Sequence, residues 1–237
     1  METELVVNEI FGPTVQGEGR SMGRRCAFLR LGGCNLSCTW CDTPYTWDWT
    51  GAGDSGVAYD PRKELHRRSV REVAEELLAF GVGLIVISGG EPLGQQNRLI
   101  PLVELLTARG LEIEIETNGT HAPDPALVAA KVRFNVSPKL AHSGDSVERR
   151  IVPSALRSLA VTEGTTFKFV CRNTDDLDEV GALVEEFTLG SVWIMPKGQT
   201  GAEISRHMAG LADAVIARGW NLTTRLHTLL WGDTRGV

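Results

Sequence analysis

The chain has 237 residues, 42% hydrophobic and 23% charged, and a formal net charge of −6. That length suffices for one domain (1–237) with a sizeable core, and its interleaved charges leave no basic stripe for a phosphate backbone, so no nucleic-acid partner is expected. No apolar run is long enough to span a bilayer, the start Met1-Glu-Thr-Glu-Leu5 lacks the regions of a signal peptide, and free thiols fit a reducing compartment, so a cytoplasmic protein without membrane partners is expected.

In chain order, the first strand expected is Cys26–Leu31, leading into Gly32-Gly33 and a cysteine-rich run. Residues 48–68 are rich in Gly, Asp and Ser and then charged, and read as a long loop within an insertion around 42–68; loops of that length are often functional covers. Ser69 and Glu72 make a capping box for a helix whose apolar face is Val70, Val73, Ala74, Leu77 and Leu78, stopped near Gly81. Leu84-Ile-Val-Ile-Ser88 is a short apolar strand of the kind buried on both faces of a parallel sheet. A helix carrying Leu99, Ile100, Leu102, Val103, Leu105 and Leu106 ends at Gly110, and Leu111-Glu-Ile-Glu-Ile-Glu116 follows as an alternating strand. Its three glutamates mark either a solvated face or the interior or mouth of a barrel. Later strands are expected at 132–136, 166–171, 192–195 and 222–226, with helices near 154–160, 175–187 and 203–218 and a tail at 227–237. The pattern is α/β, and about six βα units in place of eight imply a partial, open parallel β/α barrel.

Cys34-Asn-Leu-Ser-Cys38-Thr-Trp-Cys41 is the most informative segment. A tetrahedral zinc site or an ordinary four-iron cluster takes four protein ligands. Three thiolates within eight residues can instead hold three irons of a four-iron cluster and leave the fourth open to a small molecule. A zinc knuckle would bring a second Cys or His pair, yet Cys26 and Cys171 are isolated in apolar runs and His66, His121, His142, His207 and His227 form no such pair. A non-catalytic zinc or iron–sulfur module is therefore the weaker reading.

In parallel α/β folds ligands sit beyond the carboxyl ends of the strands. There the sequence places Ser88-Gly-Gly-Glu-Pro92, Glu116-Thr-Asn-Gly119, Ser137-Pro-Lys139 and Met195-Pro-Lys-Gly198. Each alone is ordinary turn chemistry; their recurrence at successive strand ends downstream of the cysteines favours a ligand. Backbone groups of Gly89 and Gly90 suit an α-amino group, Ser137 and Lys139 suit a carboxylate and hydroxyls, and Trp40 suits packing on an aromatic base.

The three-cysteine motif with Gly89-Gly90-Glu91-Pro92 resembles the radical S-adenosylmethionine (SAM) superfamily. Ile10-Phe-Gly-Pro-Thr-Val-Gln-Gly-Glu-Gly19, Arg30, Cys41-Asp-Thr43, Glu116-Thr-Asn-Gly119, Ser137-Pro-Lys139 and the tail Arg225–Val237 extend the likeness over almost the whole chain to the 7-carboxy-7-deazaguanine synthase (QueE) family. The resemblance implies a 4Fe-4S cluster on Cys34, Cys38 and Cys41, with SAM chelating the open iron and releasing an adenosyl radical on one-electron reduction. It further implies ring contraction of 6-carboxy-5,6,7,8-tetrahydropterin with loss of ammonia, in queuosine-type 7-deazapurine biosynthesis, with Mg2+ held at Thr43.

By position, the resemblance assigns SAM to Trp40, Gly90, Glu91, Glu116, Asn118, Ser137, Pro138, Lys139, Met195, Pro196, Lys197 and Gly198. The substrate falls to Val15, Gln16, Gly17, Glu18, Arg30, Ser88, His227 and Val237. An external flavodoxin- or ferredoxin-type electron donor and a homodimer are expected from it. Two departures stand out: Ser88 occupies a position that is Thr in some relatives, and the segment 195–198 matches the family's SAM-contacting stretch only at its proline. The nearest rival, an activase of glycyl-radical enzymes, shares the cysteine spacing but gives no reason for Gln16-Gly-Glu-Gly19.

Overall fold

The computed structural model describes residues 3–237; Met1 and Glu2, part of the acidic start read above, lie outside the described residues. The strands are β1 (Glu4–Val15), β2 (Arg25–Leu31), β3 (His66–Ser69), β4 (Leu84–Gly89), β5 (Glu112–Thr117), β6 (Arg133–Val136), β7 (Thr166–Cys171), β8 (Val192–Pro196) and β9 (Asn221–Leu222). They form one sheet in the order β3-β1-β2-β4-β5-β6-β7-β8-β9. From β2 through β9 neighbours run parallel, whereas β1 pairs antiparallel with both β2 and β3. The open parallel barrel expected from the alternation is present, extended at one edge by an antiparallel pair.

That pair corrects two expectations. The N-terminal segment carries a strand that its Gly12-Pro13 interruption conceals, with pairing irregularities between Val7 and Glu9 and between Phe11 and Thr14. The loop expected to end at 68 instead closes with β3 on the sheet edge, after a helical turn at Pro61–Glu64. Within the loop, Asp48 is buried and its carboxylate accepts the backbone N–H groups of Gly51, Ala52 and Gly53 at 2.8, 2.9 and 2.8 Å, which fixes the turn. The last strand is also shorter than expected: Thr223 N–H still bonds Ile194 O at 2.9 Å, but the chain then leaves the sheet and Leu226–Trp231 is a helix.

Helices Val70–Ala79, Gln96–Thr107, Pro153–Ala160, Asp176–Phe187 and Gly201–Ala217 cover the outer face. The Ser69–Glu72 capping box forms, each partner satisfying the other's backbone N–H. Outward side chains such as Ile85, Ile87, Ile113, Ile115, Phe167 and Phe169 pack with Val73, Leu77, Leu102 and Leu106 into one continuous core. Inward positions follow from register. Arg30 pairs with Ser88 and Glu116 with Asn135, so these residues with Glu114 and Lys168 share the concave face, whose narrow apolar part is Cys26, Leu84, Val86 and Phe28. The alternating glutamates of β5 thus divide: Glu112 is exposed, while Glu114 is buried inside the barrel. No helix among the described residues is long and apolar enough to cross a membrane.

Candidate active site

A cavity of about 560 Å³ fills the concave side at the carboxyl ends of the strands. Val15, Gln16, Gly17, Glu18, Arg30, Cys34, Cys38, Trp40, Cys41, Thr43, Ser88, Gly90, Glu116, Asn118, Ser137, Lys139, Met195, Lys197, Gly198, His227 and Val237 all line it. Glu91, Pro138 and Pro196 are buried and do not.

The reason for Glu91 is plain in its contacts. Its carboxylate accepts Leu93 N–H at 2.9 Å, Thr117 O–H at 2.7 Å and Asn118 N–H at 2.7 Å. It fastens the turn after β4 to the end of β5, and burial pushes its pKa up against those three donors. The glycines before it allow close approach: a Cβ on Gly90 would stand 2.0 Å from Gly33 O, and one on Gly89 2.1 Å from Leu31 O. Gly90 N–H is engaged by Leu31 O at 3.0 Å, so the backbone group left for an amino group is the carbonyl, an acceptor as an ammonium requires.

The cysteine loop is fastened on both flanks. Asn118 donates to Asn35 Oδ1 at 2.9 Å, Asp145 accepts Ser37 N–H at 3.1 Å, and Trp40 Nε1–H donates to His142 O at 2.9 Å. The Trp40 ring lies 5.2 Å from that of His142, tilted by 31°, with Lys139 Nζ and Lys197 Nζ at 5.8 and 5.7 Å from its centre. Three thiols line one cavity, with Asn118 Nδ2 4.0 Å from Cys34 Sγ, Asp145 Oδ2 3.7 Å from Cys38 Sγ and Thr43 Oγ1 3.7 Å from Cys41 Sγ; three sulfur donors suit a cluster that leaves one iron open. Burial pushes the Cys34 and Cys38 thiols up to about 12, and a metal bound there would favour their deprotonation. Cys26 and Cys171 are fully buried on other parts of the sheet, as expected for core residues.

Several of the other expected site residues already have partners within the protein. Gln16 is buried, and its amide donates to Glu114 and Glu116, both at 3.0 Å, while its Oε1 accepts Glu18 N–H at 3.3 Å. With its backbone N–H and O bonded to Arg24 O and Gly23 N–H, every N–H of Gln16 is engaged within the protein, and only its carbonyl oxygens keep a lone pair. Glu116 also accepts Ser88 O–H at 2.8 Å. Gly17 is required by packing, because a Cβ there would lie 2.0 Å from His227 Nδ1. Arg30 is largely buried; its Nε–H donates to Glu9 at 2.7 Å and its guanidinium lies 5.6 and 5.9 Å from the Phe11 and Tyr45 rings.

Sequence reading missed a charge chain across the wall of the cavity. Glu18 contacts Lys168 Nζ, and its other oxygen lies 3.3 Å from Arg225 Nε and 4.0 Å from His227 Nε2. Arg225 also contacts Asp42 and donates to Gly198 O at 2.8 Å. Burial would raise the Glu18 carboxyl, but Lys168, Arg225 and His227 together hold it well below the usual carboxylate range. Asp42 likewise is lowered by Arg225 against the effect of burial. A lysine centred in the apolar strand Thr-Phe-Lys-Phe-Val-Cys171 was the one signal that might have flagged Lys168. In the tail, Arg235 binds Glu9 at 3.0 Å and Glu64 at 2.9 Å and lies over the Tyr45 ring at 3.9 Å, and Val237 lines the cavity.

A family model for the radical SAM superfamily matches residues 29–208. The 7-carboxy-7-deazaguanine synthase of Pyrobaculum aerophilum is 36% identical over 234 residues, covering 97% of this chain and 96% of its own length. The synthase of Bacillus subtilis is 29% identical over 257 aligned residues, with 100% of both chains covered. The crystal structure of QueE from Escherichia coli superposes with a TM-score of 0.70 at 26% identity, covering 94% of this chain and 95% of that one. The chain therefore belongs to the 7-carboxy-7-deazaguanine synthase family of the radical SAM superfamily.

Proposed function

We propose the following division of labour for the reaction of this family, conversion of 6-carboxy-5,6,7,8-tetrahydropterin to 7-carboxy-7-deazaguanine with loss of ammonia. The observation that carries it is the meeting of the three cysteines, the strand-end motifs and the Val15–Glu18 segment on one cavity. Cys34, Cys38 and Cys41 hold the 4Fe-4S cluster; Trp40, the Gly90 carbonyl, Asn118, Ser137, Lys139, Met195, Lys197 and Gly198 hold SAM. Glu91, Pro138 and Pro196 support those groups from behind. When bound, cluster and SAM together supply the radical that starts the reaction.

On the substrate side, Arg30 uses its outer guanidinium nitrogens for the substrate carboxylate, since Glu9 engages only its Nε. Glu116, whose carboxylate keeps lone pairs beside the bonds from Gln16 and Ser88, and the Ser88 hydroxyl oxygen present acceptors to the pterin, joined by the backbone of Val15 and Gly17, by His227 and by the carboxylate of Val237. Glu18 acts through its cations, with both oxygens already engaged. Thr43 lines the cavity with its hydroxyl 3.7 Å from Cys41 Sγ, and one hydroxyl is enough for Mg2+, which keeps several waters and shares the substrate carboxylate. The homodimer and the flavodoxin- or ferredoxin-type donor rest on the family reading alone.

The test is anaerobic reconstitution, incubation with SAM, a reductant, magnesium and the carboxypterin, and mass spectrometry of the product. Formation of the deazaguanine acid, with slower turnover after chelation of Mg2+ or in Thr43→Val, is expected. An intact cluster that cleaves SAM but yields no such acid would remove the substrate assignment, and a magnesium-independent rate would remove the role of Thr43.

A further inference from the structure

Arg225 touches three segments with three different assignments. Its Nη2 meets Asp42, between Cys41 and Thr43; its Nε lies 3.3 Å from Glu18 in the segment that edges the substrate space; its Nη1 donates at 2.8 Å to the carbonyl of Gly198, on the SAM side. The side chain is 8% exposed, so the guanidinium is fixed by these partners and not by solvent. Around it the segment that carries Arg225 is tied to the Glu18 segment twice more: Leu226 N–H bonds Gly17 O at 2.8 Å and Gly19 N–H bonds Thr223 Oγ1 at 3.1 Å. Beyond Glu18 the chain of charges continues to Lys168 at the centre of β7.

We propose that Arg225 is a positioning residue for this reaction, holding cluster loop, substrate edge and SAM-side strand end at one mutual distance through the chain Asp42–Arg225–Glu18–Lys168. It rests on the placement of substrate and SAM given above. The physical reason lies in what hydrogen abstraction demands. The radical centre and the target C–H must be within van der Waals reach, and a displacement near 1 Å costs about a hundredfold in rate. A planar guanidinium with five donors fixes three acceptors in one geometry; an ammonium supplies charge without that fork. Misalignment therefore separates two events that are normally coupled: SAM is still cleaved, but the radical takes an electron from the added reductant and a proton from solvent, giving free 5′-deoxyadenosine before it reaches the substrate.

The experiment uses cluster-loaded Arg225→Lys and Asp42→Asn, the second chosen because the buried Arg225 keeps Glu18 as a counter-charge when Asp42 loses its own. Iron content and the thermal melt report fold and cluster; calorimetry with the carboxypterin on oxidised, SAM-loaded enzyme reports substrate binding; and 5′-deoxyadenosine per deazaguanine acid reports alignment. Expected is wild-type iron content in both, substrate Kd weakened about tenfold, and the deoxyadenosine-to-product ratio raised about tenfold. The Asp42→Asn and Glu18→Gln effects on that ratio should also be non-additive, since both act through Arg225. Variants that lose product only in proportion to lost iron or melting temperature, with an unchanged ratio, would reduce Arg225 to a structural ion pair and overturn the proposal. A wild-type enzyme that makes no deazaguanine acid would instead strike the reading on which it rests.

Discussion

Replacing Lys168 with methionine is the most direct probe of the buried charges. The two side chains have similar length, so the change removes a charge while leaving the barrel packed. Lys168 is 6% exposed and Glu18 12%, and the loss leaves a carboxylate that burial alone would drive toward protonation. Breaking one side of a buried pair costs about 3–5 kcal/mol. Arg225 and His227 still face Glu18, which favours the lower end, about 3 kcal/mol. In a chain of 237 residues that corresponds to a fall in Tm of about 6–12 °C. The pH dependence follows from linkage. In the wild type Glu18 is depressed, so its contribution is present above its unfolded value near 4.5 and is lost only as pH falls through the lower folded value. In Lys168→Met the folded value rises, the carboxylate, still facing Arg225 and His227, takes up a proton at higher pH than in wild type, and the difference from wild type narrows on acidification. Melts followed by circular dichroism from about pH 8 to pH 3 read both effects. The double variant Glu18→Gln/Lys168→Met should regain more than half of the loss, because neutral partners carry no unpaired charge. A loss under about 1 kcal/mol that is flat with pH would refute the reasoning.

Two further outcomes test the placement of the cysteines and glycines. Cys38→Ala should lose the 4Fe-4S absorbance and most of its iron while Cys171→Ala, buried in β7, keeps both; equal loss would mean that the ligands are misassigned. In Gly90→Ala the new methyl meets Gly33 O at 2.0 Å, which forces the turn after β4 away from the cysteine loop. Iron content and SAM binding should fall together, and a variant with normal values for both would show that this close approach is dispensable.

Much of the molecule could be read without coordinates wherever local chemistry was sufficient. The capping box at Ser69 and Glu72, the apolar strand Leu84–Ser88 and the three-cysteine spacing each state their structure over a few residues. β1 was hidden because Gly12-Pro13 breaks its alternation and the strand depends on pairing with residues well along the chain in β2 and β3. The β5 glutamates left two readings open, since period-two alternation is the same for a solvated face and a barrel interior; only the curvature of the sheet placed Glu114 inside.

The site divides in the same way. Spacing alone determined which cysteines could share a cluster, and turn chemistry at the strand ends marked where a ligand would sit, because both depend on neighbours in sequence. Which side chains remain free to meet that ligand was decided by folding. Gln16 and Glu91 carry the right groups, yet partners about 100 and 27 residues away have already engaged them. Arg225, 207 residues from Glu18 and 183 from Asp42, enters the site only because the last segment of the chain returns across the open side of the barrel. A charge buried by tertiary packing must find its counter-charge wherever the fold brings one, and sequence distance says nothing about where that is.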